Sequence, residues 1–272
     1  MALNARDIGL RAASALVLAP AAVAAVWAGG VWYLGFVIVG AALLAVEWAR
    51  MSAHGAWRAM AAIIIIAVTA ALVATDLGRL PIALGILVLG AAIGGLAARL
   101  RGLQALNTAY GVLYLGWPAV LLVWLRDGHS AVGLHWTAFV FAVAWAADIL
   151  AYLVGSLVGG PKLWPRFSPN KTWSGFIGGM GAGAMAGAAI TAGFDMGRLT
   201  VFWGAVLGLA GALATMAGDL WESALKRRFG VKDAGALIPG HGGLLDRVDG
   251  LMFAVVVVAA GRLVVLWLEG AI

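Results

Sequence analysis

The chain has 272 residues, of which 64% are hydrophobic and 11% are charged, with a mean hydropathy of +1.00. Because a soluble domain is only about 45–50% apolar, this composition excludes an ordinary soluble protein. The chain has no cysteine, which excludes disulfides, thiolate nucleophiles and sulfur-ligated zinc. Its four histidines lack metal-ligand spacing. A metal site would therefore consist mainly of oxygen ligands, which suit Mg²⁺ or a similar hard cation.

The apolar residues form blocks of about 20 residues, the length with which a helix crosses a hydrocarbon core of about 30 Å. In chain order the blocks are 12–28, 30–47, 59–77, 80–98, 105–125, 135–157, 173–194, 199–219 and 250–268. They predict an all-α polytopic integral membrane protein with about nine transmembrane helices. The stretch "RAASALVLAPAAVAA" also resembles a signal peptide, and we expect it to be retained as the first helix.

The net charge of +6 and a pI near 10.2 could suit a nucleic-acid partner, but the distribution of charge argues against one. Fourteen of the 18 lysines and arginines lie in the N-terminal tail and in alternate loops. By the positive-inside rule, the N-terminus and all long loops are cytoplasmic. We therefore expect a protein of the bacterial cytoplasmic (inner) membrane with its active site facing the cytoplasm.

Polar and charged residues are distributed unequally between the two halves of the chain. Residues 1–130 have short loops and few internal charges, which predicts scaffold helices. Residues 131–272 hold the predicted catalytic region, with cytoplasmic loops at 159–172 and 220–249. Within this region "GFIGGMGAGAMAGAAI" spaces glycines four apart, from Gly175 to Gly187. This ridge predicts close helix packing. A dinucleotide fingerprint would require a βαβ unit, which a membrane helix cannot provide.

Acidic residues occur where an apolar chain would normally exclude them. Asp148 lies within the sixth block, where an aspartate at mid-helix costs about 2.5–3.5 kcal/mol. Tyr152 follows four residues later on the same helix face, so a structural hydrogen bond is one explanation. We favour a functional role for Asp148, because intramembrane acids usually face a cavity.

Further acids are predicted to converge at the cytoplasmic ends of two helices. In "TMAGDLWESALKRR", Asp219, Glu222, Ser223 and Lys226 share one face if the helix continues. In "DRVDG", Asp246 and Asp249 are three residues apart on the next helix. A divalent cation would relieve the repulsion among the three aspartates and leave coordination positions for phosphate. The alternative is a salt-bridge network with Arg247 and Lys226.

Cations and flexible backbone surround these acids. The segment "PGHGG" supplies glycine amides before a helix N-terminus, where they form an anion cradle. The loop "PKLWPRFSPNKTWSG" adds further cations and hydroxyl donors. Together these groups indicate phosphoryl chemistry at the membrane surface. The cationic and hydrogen-bonding candidates in the two loops are Lys171, Ser168, Ser223, Lys226, Arg227, Lys232, His241, Gly242, Gly243 and Arg247.

Residues 223–249, here called the signature segment, read "SALKRRFGVKDAGALIPGHGGLLDRVD" and resemble the signature of the phosphatidate cytidylyltransferases, or CDP-diacylglycerol synthases. The upstream "DILAY" and "SPNKTWSG" are also similar to elements of this family, so the resemblance covers about residues 145–265. Two positions depart from the family pattern and put contacts of the first loop in doubt. They are Asn170, where many members carry a basic residue, and Trp173-Ser174, where an acid is common.

The resemblance implies the Mg²⁺-dependent reaction of CTP with phosphatidate, giving CDP-diacylglycerol and diphosphate. It also implies metal binding at Asp219 and Asp246 with Asp249 close by, a second cation that is monovalent or divalent, and a homodimer. The candidate catalytic residues are Asp219, Asp246, Lys226, Arg247 and His241. The candidate substrate-binding residues are Lys171, Ser168, Ser223, Arg227, Lys232, Gly242, Gly243 and Asp148.

Two other classes of function fit parts of the pattern. A secondary transporter of an organic or phosphorylated anion would also combine many helices with intramembrane acids. It predicts polar groups at mid-membrane and symmetry between the halves, whereas here the charges concentrate at one face. A lipid-binding membrane protein would use basic loops on anionic headgroups, but it would need no clustered carboxylates.

Overall fold

The computed structural model describes residues 5–165, 168–235 and 242–271, and for residues 5–16 and His54 it describes the backbone alone. Nine α-helices account for most of this part of the chain. Their bounds are α1 Ala5–Ala28, α2 Gly30–Ser52, α3 Trp57–Asp76, α4 Leu80–Leu100, α5 Ala105–Arg126, α6 Ala131–Val158, α7 Trp173–Gly193, α8 Val201–Arg228 and α9 Leu245–Glu269. A short 3₁₀ helix, His54–Ala56, joins α2 to α3.

Within the described residues, α2 to α9 are each long and apolar enough to span a membrane. The part of α1 whose side chains are described adds a shorter apolar stretch, Val17–Ala28. This pattern confirms the predicted all-α polytopic membrane protein. Several helices end where glycine supplies a left-handed backbone, as at Gly159 after α6, where φ is 65°.

The chain forms two compact units, residues 1–124 with 226–247 and residues 125–225 with 248–272. In the first unit α3 packs against both α2 and α4, with Met60 and Ile64 fully buried. Trp48 is buried at the end of α2, where its Nε1 donates to the Asn107 carbonyl over 2.9 Å. Its ring packs edge-on against Phe229. The functional division into scaffold and catalytic regions stays a prediction.

In the second unit the glycine ridge of α7 lies against two neighbouring helices. A Cβ added at Gly179 would lie 2.8 Å from the Ala147 carbonyl oxygen of α6. One added at Gly183 would lie 2.4 Å from the Ala212 Cβ of α8. The ridge therefore brings three helix backbones close together, which confirms the packing interpretation.

We expect Gly187→Ala to weaken this packing. The new Cβ would lie 2.3 Å from the Gly204 carbonyl oxygen and 2.9 Å from the Gly208 Cα, so α7 and α8 would have to separate. Overpacking of this kind costs about 1–3 kcal/mol, and it should lower the thermal unfolding midpoint in detergent. Gly181→Ala on the same helix is the control, since its Cβ would meet no atom within 4 Å. Equal midpoints for the two variants would contradict the prediction.

The loop between α6 and α7 contains a short antiparallel hairpin that the all-helical expectation did not include. Strand β1, Lys162–Trp164, pairs with β2, Ser168–Thr172. Prolines at 161, 165 and 169 prevent a helix here and favour extended backbone. At the end of β2, the Thr172 side chain accepts the Gly175 N–H and so caps α7.

Candidate active site

Helix α8 runs without interruption to Arg228, nine residues beyond Asp219. The helix therefore continues past Asp219, which is the condition under which Asp219, Glu222, Ser223 and Lys226 share one helix face. The last turn of α8 carries Lys226, Arg227 and Arg228. Cations in this position interact favourably with the negative end of the helix dipole.

The hairpin loop and α8 meet through an ion pair. Lys171 of β2 donates from its Nζ to Oδ2 of Asp219. The two side chains remain 27% and 36% exposed, so this pair is accessible to an incoming ligand. The structure thus brings together a predicted phosphate-binding cation and a predicted metal ligand.

Asp249 lies in the first turns of α9 and has acidic neighbours from two other helices. The negative charges of Asp219, Glu222 and Asp148 all act on it. Asp249 is 9% exposed and Glu222 is 1% exposed, whereas Asp148 is exposed on α6. Asp148 thus adds to the negative charge that acts on Asp249, and its role in substrate binding stays a prediction.

Two glycines explain how the acids of α8 and α9 approach one another. A Cβ at Gly218 would lie 2.5 Å from the carbonyl oxygen of Asp249, and one at Gly250 would lie 2.6 Å from the Thr215 side chain. The helices therefore cross closely next to Asp219 and Asp249. Because carboxylates on separate helices repel each other, this approach requires backbone packing that larger side chains would prevent.

Asp246 lies one turn before Asp249 on α9, and its partners include a lysine and two backbone amides. Its Oδ1 accepts from the Lys226 Nζ over 2.5 Å. Its Oδ2 accepts the backbone N–H groups of Gly243 over 2.8 Å and of Ala234 over 3.1 Å. The carboxylate is 8% exposed, so these charge-assisted bonds hold it in one orientation. This ion pair is a contact of the kind that the salt-bridge alternative expects, and metal binding by Asp246 stays a prediction.

Sequence reasoning missed Glu47, which lies near the end of α2 that is predicted to face the cytoplasm. Its side chain is 3% exposed. Oε1 accepts the Leu244 N–H and Oε2 accepts the Leu245 N–H, each over 2.9 Å. The available signal was a single acid within the apolar stretch "ALLAVEWARM".

The structure describes the glycine segment at Gly242 and Gly243. The Gly243 N–H points to Asp246, and the next two amides point to Glu47. These three amides therefore donate to the protein's own carboxylates. The predicted contacts of Gly242 and Gly243 with substrate stay predictions.

The remaining candidates differ in their exposure to solvent. Arg227 is exposed and donates to the Val231 carbonyl over 3.2 Å. Lys232 and Arg247 are also exposed, and Ser168 and Ser223 are partly buried. His241 lies outside the described residues, so its predicted role stays a prediction.

Asp219, Asp246 and Asp249 each offer only oxygen donors, the ligand type that a hard cation prefers. Among residues 5–165, 168–235 and 242–271, no three histidine, aspartate or glutamate side chains are gathered as a ready set of ligands. Mg²⁺ is usually held by one or two carboxylates, with phosphate oxygens and water completing its shell. Asp219, Asp246 and Asp249 as metal ligands stay a prediction.

Two kinds of comparison with known proteins give the same result for the chain as a whole. A model described as the cytidylyltransferase family matches residues 9–264. A protein of Brucella melitensis biotype 1 named phosphatidate cytidylyltransferase is 42% identical over 254 residues, covering 91% of this chain and 90% of that protein. A Staphylococcus aureus (strain COL) protein of the same name is 44% identical over 149 residues, covering 54% of this chain and 56% of that protein.

Proposed function

Because this chain belongs to the cytidylyltransferase family, we propose that it converts CTP and phosphatidate into CDP-diacylglycerol and diphosphate. The observation that carries the proposal is the 42% identity to a phosphatidate cytidylyltransferase along nearly the whole of both chains. The acid–lysine pairs Asp219–Lys171 and Asp246–Lys226 support it, because they provide the charges that a reaction between two anions requires.

In the proposed reaction a phosphate oxygen of phosphatidate attacks the α-phosphorus of CTP. A new P–O bond forms, the bond between the α-phosphorus and its bridging oxygen to the β-phosphate breaks, and diphosphate leaves with the bonding electrons. The nucleophile is a phosphate monoester that is already anionic near neutral pH, so a strong protein base is not required. The protein's task is to neutralise charge and to orient the two phosphates.

We propose Mg²⁺ as the cofactor, with Asp219, Asp246 and Asp249 as the residues that would hold it. When bound, the ion supplies positive charge to the triphosphate and its leaving group. A second cation, monovalent or divalent, belongs to the same proposal, because Asp249 has three acidic neighbours.

Lys171 and Lys226 have two roles in this proposal. In the structure Lys171 binds Asp219 and Lys226 binds Asp246. On substrate binding they would turn toward phosphate oxygens while the carboxylates engage the cation. Arg227, Lys232 and Arg247, which are exposed, would contribute further positive charge. His241 would donate a hydrogen bond to phosphate.

The chemistry of the substrates suggests where the site lies. CTP is water-soluble, whereas the acyl chains of phosphatidate remain in the bilayer, so the reaction requires a site at the membrane boundary. The positive-inside distribution favours the cytoplasmic side for the signature segment. We therefore propose a bacterial inner-membrane enzyme with a cytoplasmic active site, which acts as a homodimer.

The direct test incubates purified protein in detergent with phosphatidate, Mg²⁺ and CTP labelled in its α-phosphate. We expect label in the lipid extract that depends on phosphatidate and is lost when EDTA removes the metal. EDTA-resistant transfer would contradict the Mg²⁺ proposal alone. No transfer by folded protein would contradict the enzymatic proposal, and uptake of a phosphorylated anion by proteoliposomes would then favour the transporter.

A further inference from the structure

Glu47 connects α2 to the signature segment across 197 and 198 residues of sequence. Its two carboxylate oxygens receive two consecutive amides, those of Leu244 and Leu245, at equal distances of 2.9 Å. With 3% exposure, the carboxylate has little access to water and depends on these bonds. It also lies at the N-terminus of α9, where the helix dipole favours negative charge.

The backbone around Glu47 is shaped to admit this carboxylate. A Cβ on Gly235 would lie 2.6 Å from the Glu47 Oε1, and a Cβ on Gly243 would lie 3.0 Å from the same atom. Both glycines therefore leave the space that the carboxylate occupies. Three consecutive amides, from Gly243 to Leu245, thus bind the side chains of Asp246 and Glu47.

We propose that Glu47 is a positioning residue that fixes the start of α9 and thereby the orientation of Asp246. Asp246 is the next residue after Leu244 and Leu245, whose amides donate to Glu47. The Oδ2 of Asp246 in turn accepts the N–H of Gly243, the residue before Leu244. A shift of this turn would move the Asp246 carboxylate away from its bonds to Lys226 and Ala234. Glu47 would act through Asp246 and would not touch the reacting atoms.

The test combines amide exchange with kinetics in Glu47→Gln. Glutamine has one acceptor oxygen, so one of the two amides must face its NH₂ group. We expect deuterium exchange at Leu244 or Leu245 to become at least about tenfold faster, because a bond to a charged acceptor is lost. We also expect a decrease of about 10–100-fold in kcat, or an equal rise in half-saturating Mg²⁺, with the KM for phosphatidate unchanged.

The matched control is Glu269→Gln. Glu269 also accepts a backbone N–H, that of Arg198 over 2.9 Å, but it lies about 36 Å along α9 from Leu245. This variant should keep wild-type kinetics and wild-type exchange at residues 242–250.

Should Glu47→Gln not fold, Gly235→Ala displaces the carboxylate without changing α2. Its control is Gly55→Ala, whose added Cβ would meet no atom within 4 Å.

Two results would overturn the inference. The first is unchanged amide exchange in both Glu47→Gln and Gly235→Ala. The second is a fall in activity that only matches the loss of folded protein, with half-saturating Mg²⁺ unaltered, since this indicates a structural role alone. The kinetic arm rests on the proposed function, whereas the exchange arm does not, so a wild-type protein without transferase activity would still test the position of Glu47.

Discussion

Replacement of Asp246 by asparagine is expected to reduce cytidylyl transfer by at least about 100-fold, the scale observed when one preorganised electrostatic group is removed. The carboxylate bonds Lys226 through one oxygen and two backbone amides through the other. An asparagine NH₂ must face either the lysine or the amides, so one side of this network fails. The loss of charge also removes a proposed ligand of the cation. Initial rates of lipid labelling at saturating substrates measure the effect.

The control for this experiment is Asp195→Asn. Asp195 is also an aspartate that accepts a backbone N–H, that of Gly197 over 3.0 Å, but it lies in the exposed loop after α7. It should retain wild-type turnover. If Asp246→Asn kept more than about a tenth of the wild-type rate, Asp246 would not have the proposed role.

Replacement of Asp219 by asparagine is expected to have a similarly large effect, and its partner Lys171 makes a sharper test possible. Both side chains are partly exposed, so as a salt bridge alone the pair would contribute only about 0–1 kcal/mol to stability. Asp219→Asn should therefore stay folded, with an unfolding midpoint near wild type. Its turnover should nevertheless fall by at least about 100-fold, because it loses a proposed cation-binding charge.

A double-mutant cycle separates the catalytic role from the salt-bridge alternative. In the variants Asp219→Asn, Lys171→Met and the pair together, a structural salt bridge predicts that the double variant recovers activity relative to Asp219→Asn. In the proposed mechanism the double variant is no more active than Asp219→Asn, because the cation ligand is absent in both. Recovery to near the rate of Lys171→Met would contradict the proposal.

The sequence was sufficient to predict the membrane architecture, because transmembrane helices follow from local composition. Each block of about 20 apolar residues must form a helix in a bilayer, whatever its neighbours. The same locality explains why the glycine ridge of α7 was interpretable, since spacing by four residues places Gly179 and Gly183 on one face. The hairpin at β1 and β2 was missed because its prolines exclude a helix without indicating which strands pair.

The candidate site could be predicted in its residues but not in its contacts. The signature segment contains Asp246 and Asp249, and helical periodicity placed these two acids and Asp219 near helix ends. Glu47 was missed for a different reason, since one acid near the end of an apolar helix resembles an ordinary interfacial residue. Nothing local to α2 indicates that its carboxylate binds amides at the start of α9.

By itself, the sequence determined the class of protein, the number of apolar helices and the family, and it singled out the acids and lysines of the predicted site. Only the tertiary structure decided which groups meet: Lys171 with Asp219 across 48 residues, Lys226 with Asp246 across 20, and Glu47 with Leu244 across 197. Helix formation depends on residues three or four apart, which a sequence displays directly. Pairing between helices depends on how closely their backbones approach, and this depends on packing among glycines that are distant in the chain.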